Sequence, residues 1–515
     1  MKNELPLIPA FSPRGEGEAR TVAVIGAGPV GLAAAANLLE RGYVPIVFEA
    51  GAGVAANFET FRQVQLFSPW RYNVDPAARR LLEASGWTMP NEDELPTAGA
   101  MIDRYLAPLA SHPAIAPALR LSHRVTSISR EGFDKVKSKG REAAAFVIRA
   151  VVPAAQGVVP AKAGTQDAHW IPAYAGMTEA AGTTVEFRAW AVLDASGTWS
   201  KPNPMGANGL PAIGELENAA QIQYGMPDIL GKLRDRYAGK RVLVVGAGHS
   251  AAGSLLALAK LADEAPGTRI AWTIRGHNFA RIFGGGENDG LAARGALGQR
   301  LKRLADSGRL EVHADFRTVA IHRIPQGSLV VEGRGANDEA RAIEGIDEIV
   351  VAAGGRPDLS LSSELRVKLD PWIESTEQLA PLIDPNVHSC GTVRPHGHKE
   401  LAHPEARFYA IGAKSYGRAP NFLLATGQEQ VRSVVAALAG DMAAADDVRL
   451  ELPQTGVCST QFHEASSGCC GGPPKERTDA CCVKDERIKD AGGSGCGSAA
   501  SKAASQRAKA TACCR

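Results

Sequence analysis

The sequence predicts an α/β fold of two parallel-sheet units, the second inserted in the first, followed by a cysteine-rich tail. Three observations carry this prediction. A β-branched strand runs through a glycine turn into an Ala-rich helix at residues 21–35, the same order recurs at 241–258, and the composition changes abruptly after about Asp447.

The first element is "TVAVIGAGPVGLAAA", with Gly26, Gly28 and Gly31 between strand and helix. Gly26 permits a tight turn, Gly28 lets the backbone approach a pyrophosphate, and Gly31 allows close helix packing. The helix N-terminus adds amides and positive dipole for phosphates. "YVPIVFEAG" then forms a second strand ending in Glu49, whose carboxylate can accept hydrogen bonds from an adenosine ribose. Spacing and context together read as a Rossmann-like dinucleotide site; a glycine turn that only packs a helix is the alternative.

The second element is "RVLVVGAGHSAAGSLLAL", with Gly246 and Gly248, then Ser250 and Ala251 where a third glycine might stand. The stretch "RIAWTIRGH" gives the next strand without a terminal acid, and its Arg275 lies in the region that follows the strand. A guanidinium there can hold a 2′-phosphate, which favours NADPH over NADH. A solvated surface arginine is the alternative.

Two apolar strands ending in glycine bracket the second element, "AVLDASGTW" and "EIVVAAGGRPD". This organisation predicts an FAD-binding domain at 1–205, an NADPH-binding domain at 206–374, the C-terminal part of the FAD domain at 375–447 and a tail at 448–515. The order of these motifs, with the C-terminal "FYAIGAKSYGRAPNFLLATGQEQ", is similar to class B flavin monooxygenases over about residues 20–440. It resembles the pyridine nucleotide-disulfide oxidoreductases more distantly. The resemblance implies FAD at the first site and NADPH at the second. It also implies that the Gly412 turn and the helix after Asn421 face the flavin pyrimidine, where helix amides stabilise the reduced anion. Two features depart from these families. Tyr224 and Gly225 stand where the monooxygenase FxGxxxH segment would begin, but they are adjacent and its histidine is missing, and no CxxC or CxxxxC pair precedes residue 458.

Other stretches have less chemistry. Residues 151–182 carry a repeated [V/I]PAxxG unit between two β-rich segments that would otherwise form a hairpin, and resemble an in-frame intergenic repeat; a surface loop without function is expected. Phe67, Trp70 and Tyr72 lie beside Arg62 and Arg71 and suit either a flavin wall or core packing. His388, Cys390, His396, His398 and His403 match no firm zinc pattern, so a loop near the active site is the better reading.

Eight of the nine cysteines lie between Cys458 and Cys514 in a Gly-, Ala-, Ser- and Lys-rich segment, so a disordered tail is predicted. Its vicinal pairs Cys469–Cys470, Cys481–Cys482 and Cys513–Cys514 suit soft ions such as arsenite, antimonite or mercuric ion. A four-sulfur zinc site, a redox relay and a chance extension are the alternatives. The pairs resemble those of arsenic-responsive repressors and metallochaperones, and a flavoprotein so equipped resembles the flavin monooxygenases of bacterial arsenic-resistance operons.

The 57 basic and 55 acidic residues give no electrostatic footprint for nucleic acid or an anionic membrane, and no apolar run is long enough to span a bilayer. With no secretory signal order at the N-terminus, a cytoplasmic protein is expected. The expected partners are a small-molecule substrate and a thiophilic metal or metalloid ion at the tail, with a homodimer as an allowed assembly. The expected function is an FAD- and NADPH-dependent monooxygenase acting on a soft nucleophile in arsenic or thiophilic-metal detoxification. A flavin reductase working through the tail thiols, and a metal-binding or sensing flavoprotein without turnover, are its rivals. No side chain declares itself catalytic.

Overall fold

A computed structural model of the chain describes residues 20–153, 182–284, 292–388 and 393–449. All nine cysteines, the tail pairs and residues 154–181 of the intergenic-like repeat fall outside these ranges, whereas residues 151–153 and 182, expected in the loop, belong to the two strands that flank it. The first unit starts with β1 (Thr21–Ile25), α1 (Pro29–Glu40) and β2 (Val44–Phe48). It continues with β3 (Leu119–Arg120), β4 (Arg124–Arg130), β5 (Phe146–Pro153), β6 (Gly182–Ala189) and β7 (Ala191–Asp194). Its main sheet is parallel in the order β16-β7-β1-β2-β3, where β16 is Phe408–Ala410 near the C-terminal end of the unit. A sheet of this kind is covered on both faces, which is why its strands read as nearly continuous apolar runs. On one side α1 packs with the helix Leu424–Leu438. On the other side lies the antiparallel sheet β4-β5-β6, whose Ile128, Phe146 and Ile148 share a core with Ile25 and Phe48.

The strands β5 and β6 pair in register up to Pro153 opposite Gly182, so the hairpin expected from the flanking text is formed. Its sheet is anchored by a buried charged cluster. Glu405 accepts from Arg130 Nε at 2.8 Å and from Arg141 Nη2 at 2.9 Å.

The second unit lies between the two crossing strands. It contains β8 (Ile222–Tyr224), β9 (Arg241–Val245), α2 (His249–Glu264), β10 (Arg269–Thr273), α3 (Ala292–Asp306) and β11 (Leu310–His313). Then come β12 (Arg317–Arg323), β13 (Leu329–Arg334), β14 (Ala340–Ile346) and β15 (Glu348–Val351). Its parallel sheet has the order β11-β10-β9-β15-β8, and β12-β13-β14 form an antiparallel sheet beside it. One core joins α2 and α3 to β9, β10 and β15 through Leu255, Leu258, Leu301, Val244 and Trp272. After β15 the chain returns to the first unit, where Leu361 and Leu365 pack with Phe408. Among the described residues no helix is long and apolar enough to cross a membrane.

Candidate functional site

The parallel sheet places both glycine turns at the carboxyl ends of central strands, where ligands bind in open α/β sheets. At the first turn Gly26 has φ +99°, and a Cβ there would meet Ala195 O at 2.8 Å. A Cβ on Gly31 would lie 1.8 Å from Gly26 O, so the helix sits directly on the turn. Gly28 is different: it precedes α1, and its missing Cβ would have nothing within 4 Å. It faces a cleft of about 1430 Å³, also lined by Gly26, Glu49, Phe61, Phe67 and Gly412. That exceeds the roughly 300–1,000 Å³ of a drug-sized site and suits a dinucleotide.

Glu49 follows β2, and each of its oxygens accepts one backbone amide, Oε2 from Ala27 at 3.0 Å and Oε1 from Gly51 at 2.8 Å. Burial pushes its carboxyl above the ordinary range while these amides pull it back. Each oxygen keeps a lone pair free for a ribose hydroxyl.

Gly412, at φ +67°, closes the cleft from the C-terminal side, and a Cβ there would press on Val30 of α1. Its amide donates to Gln430 Oε1 at 2.8 Å, and Gln430 Nε2 donates to His396 Nε2 at 3.0 Å. His396 Nδ1 in turn donates to Arg394 O at 2.9 Å, and burial holds this ring below the usual histidine range. The helix α4 (Leu424–Leu438) begins beside the same cleft, with Phe422, Leu423 and Leu424 in its lining.

The second turn repeats the first with one change. Gly246 has φ +135°, and a Cβ there would meet Ala352 O at 2.4 Å. Gly248 precedes α2 and again has open space where a Cβ would point. The buried Ala251 takes the position that Gly31 has in the first turn. Ser250 lines a second cleft of about 800 Å³ between the two units, together with Arg62, Asp103, Tyr224, Met226 and Gly354. Arg275 is exposed after β10, with Nη1 3.5 Å from Ala207 O, and lines neither cleft.

Comparison with known proteins places this geometry in a setting. The profile of the NAD(P)-binding Rossmann-like domain family matches residues 24–86, the first turn and its flanks. No curated protein matches the chain. Among solved structures, bacillithiol disulfide reductase Bdr (YpdA) from Bacillus cereus is similar at 17% identity and a TM-score of 0.56, covering 82% of this chain and 100% of its own. The FAD-bound cadaverine monooxygenase DfoA from Erwinia amylovora is similar at 13% identity and a TM-score of 0.55, covering 88% and 100%. The ornithine N-hydroxylase from Kutzneria sp. 744, solved with reduced FAD, NADP⁺ and L-ornithine, follows at 17% and 0.52, covering 82% and 100%. The chain shares the fold of these three structures.

Several residues of the site were not singled out in the sequence. Thr60 and Trp199 line both clefts, and Trp199 Nε1 donates to Thr60 Oγ1 at 2.9 Å. His249, the first residue of α2, faces the larger cleft with its ring 5.1 Å from that of Phe67, so the second turn helps to shape the first site. Lys414, buried behind Gly412, holds Asp194 and Ser196.

The aromatic stretch divides. Phe67 lines the cleft, whereas Trp70 is fully buried in the core of the first unit. The histidines go to separate partners, His388 to Pro381 O, His398 to Asp446 and His403 to the Lys368 amide. Among the described residues no group of three or more His, Cys, Asp or Glu is placed to hold a metal.

Proposed function

We propose that the chain is an FAD-dependent, NADPH-consuming oxidoreductase, a monooxygenase acting on a soft nucleophile such as sulfur or trivalent arsenic. The observation that carries this reading is that two strand–turn–helix elements of one design border neighbouring clefts with a common wall at Thr60 and Trp199, the first through Gly26 and Gly28 and the second through Ser250, while Gly246 and Gly248 line neither cleft. Gly26, Gly28, Gly31, Glu49 and Gly412 are the residues assigned to FAD, and Gly246, Gly248, Ser250 and Arg275 those assigned to NADPH. When bound, the flavin would take a hydride from the nicotinamide and supply its two electrons to O₂, of which one oxygen atom would go to the substrate and the other leave as water. The chain's own part is to bind and orient. The α1 N-terminus meets pyrophosphate charge, Glu49 fixes a ribose, and Phe61, Phe67 and Phe422 exclude water from the larger cleft.

The cysteine pairs of the tail support a thiophilic toxicant in a cytoplasmic setting, with the tail capturing the ion. The deciding experiment is NADPH oxidation by the purified protein with and without arsenite or methylarsenite, under air and under nitrogen. Oxygenated product formed only under air supports the reading, and NADPH oxidation that is indifferent to O₂ sinks it.

A second reading is O₂-independent reduction of a disulfide or metal thiolate through the tail cysteines. The likeness to a disulfide reductase favours it. Reduction that persists under nitrogen and disappears on removing residues 458–515 would select it. A flavoprotein that binds metal without turnover would show no NADPH-driven bleaching of its flavin.

A further inference from the structure

We propose that Trp199 is a positioning residue, an indole partition between the nicotinamide side and the flavin side of the site, latched by the Thr60 hydroxyl. This rests on the FAD- and NADPH-dependent reading above. Thr60 and Trp199 are the only described residues that line both clefts. The indole is held from both sides. Phe61, which lines the larger cleft, packs at 4.8 Å between ring centroids. Gly225, which lines the interdomain cleft, lies so close that a Cβ would come within 3.2 Å of Trp199 Cζ2.

The latch has a defined polarity. Thr60 Oγ1 donates its proton to Asn57 O at 2.7 Å, which leaves a lone pair to accept the Trp199 N–H at 2.9 Å. The two residues stand on different parts of the first unit, Thr60 after the short helix Ala56–Glu59 and Trp199 just beyond the outgoing crossing strand β7. Next to them, Gln63 Nε2 donates to Met226 O at 3.1 Å, so the two units touch beside the partition.

Hydride transfer needs the reacting atoms about 3–3.5 Å apart. An indole held across the junction keeps a nicotinamide in the interdomain cleft from reaching that distance. The hydride that leaves NADPH as NADP⁺, carrying two electrons to the flavin, therefore requires Trp199 to turn aside. Turning aside breaks the hydrogen bond from its indole N–H to Thr60.

The test compares wild type, Thr60→Val, Thr60→Ser and Trp199→Phe, all loaded with FAD, by stopped-flow reduction with NADPH and separately with dithionite. Thr60→Val and Trp199→Phe should each raise the NADPH rate roughly two- to tenfold, the worth of one neutral hydrogen bond. Dithionite reduction should not change, and Thr60→Ser should restore the wild-type rate. A second readout does not depend on turnover. Adding NADP⁺ should alter the emission attributable to Trp199, obtained as wild type minus Trp199→Phe. Unchanged or slower NADPH reduction in Thr60→Val, with wild type still reduced, overturns the partition alone, as does a difference emission indifferent to NADP⁺. FAD-loaded protein that NADPH reduces in no variant overturns both the partition and the function it rests on.

Discussion

Lys414 Nζ lies 3.2 Å from Asp194 Oδ2, and both side chains are 4% exposed or less. The same ammonium donates to Ser196 Oγ at 3.0 Å and to Asp358 O at 2.6 Å. One buried cation thus ties the outgoing crossing, the returning crossing and the Gly412 turn together. Ser196, Asp358, Gly412 and Ala413 all line the larger cleft, so this knot sits behind its wall.

Removing one partner of a buried pair leaves the other charge uncompensated. Lys414→Met should therefore destabilise the protein by about 3–5 kcal/mol. The double variant Lys414→Met with Asp194→Leu should recover part of that loss. Urea unfolding of the FAD-loaded proteins measures both. If the single variant loses less than about 1 kcal/mol, the pair is not the anchor described.

The second and third glycines of the first turn have separable roles. Gly31→Ala puts a methyl 1.8 Å from Gly26 O and should prevent correct folding of the first unit. Gly28→Ala adds a methyl where nothing lies within 4 Å, at φ −79° and ψ −174°, which alanine adopts freely. It should fold with a melting temperature near that of wild type and lose FAD affinity by tenfold or more, since the methyl enters the cleft beside the α1 N-terminus. Flavin titration together with thermal melts checks the pair. Equal FAD affinity in Gly28→Ala and wild type would falsify the assignment of that face to the pyrophosphate.

The contrast explains what was legible in the sequence. Glycine spacing reports backbone sterics within a few residues, so Gly26, Gly31 and Gly246 could be read directly, and the apolar runs before them gave both parallel sheets. Trp199 and Thr60 are separated by 139 positions, and no local pattern announces that they meet. The Lys414 knot likewise joins three distant segments. Phe67 and Trp70 are three residues apart, yet one lines the cleft and the other is fully buried, because the turn at Trp70–Tyr72 points them differently. Which aromatic meets a ligand is decided by tertiary packing.

The Arg130–Glu405–Arg141 cluster should give the protein an acid-sensitive step. Burial pushes the Glu405 carboxyl up, but hydrogen bonds from the Arg366 amide, Arg141 and Arg130 together outweigh it and hold the group below the usual range. A carboxyl depressed on folding adds stability that is present above its unfolded value and is lost as pH falls through its folded value. Glu405→Gln should be less stable by about 3–5 kcal/mol at pH 7. The gap to wild type should narrow as pH falls below about 4.3, the unperturbed glutamate value. Denaturant titrations from pH 7 to pH 3 test this, and a gap that stays constant rules out Glu405 as the titrating group.

Deleting residues 458–515 separates capture from chemistry. The residues assigned to both cofactors lie upstream, so NADPH should reduce the flavin of the truncated protein at close to the wild-type rate. The arsenite concentration giving half-maximal turnover should rise severalfold, because three vicinal thiol pairs go with the tail. Loss of flavin reduction itself would place the tail in the electron path instead.

Arg275 is the residue proposed to select between the two nicotinamide donors. It follows β10 of the inserted unit, is exposed, and has a single long hydrogen bond to Ala207 O, so its guanidinium can turn to a ligand without breaking a strong bond. A charge-assisted hydrogen bond to a 2′-phosphate is worth about 1.5–3 kcal/mol, or roughly 10- to 150-fold in binding. Arg275→Ala should therefore raise KM for NADPH at least about tenfold and leave KM for NADH unchanged, which steady-state flavin reduction with each donor measures. Arg275→Lys should recover only part of the loss, since an ammonium cannot make the two parallel bonds of a guanidinium. If both donors weaken together, Arg275 acts on the shape of the site rather than on the phosphate, and the preference for NADPH must come from another residue.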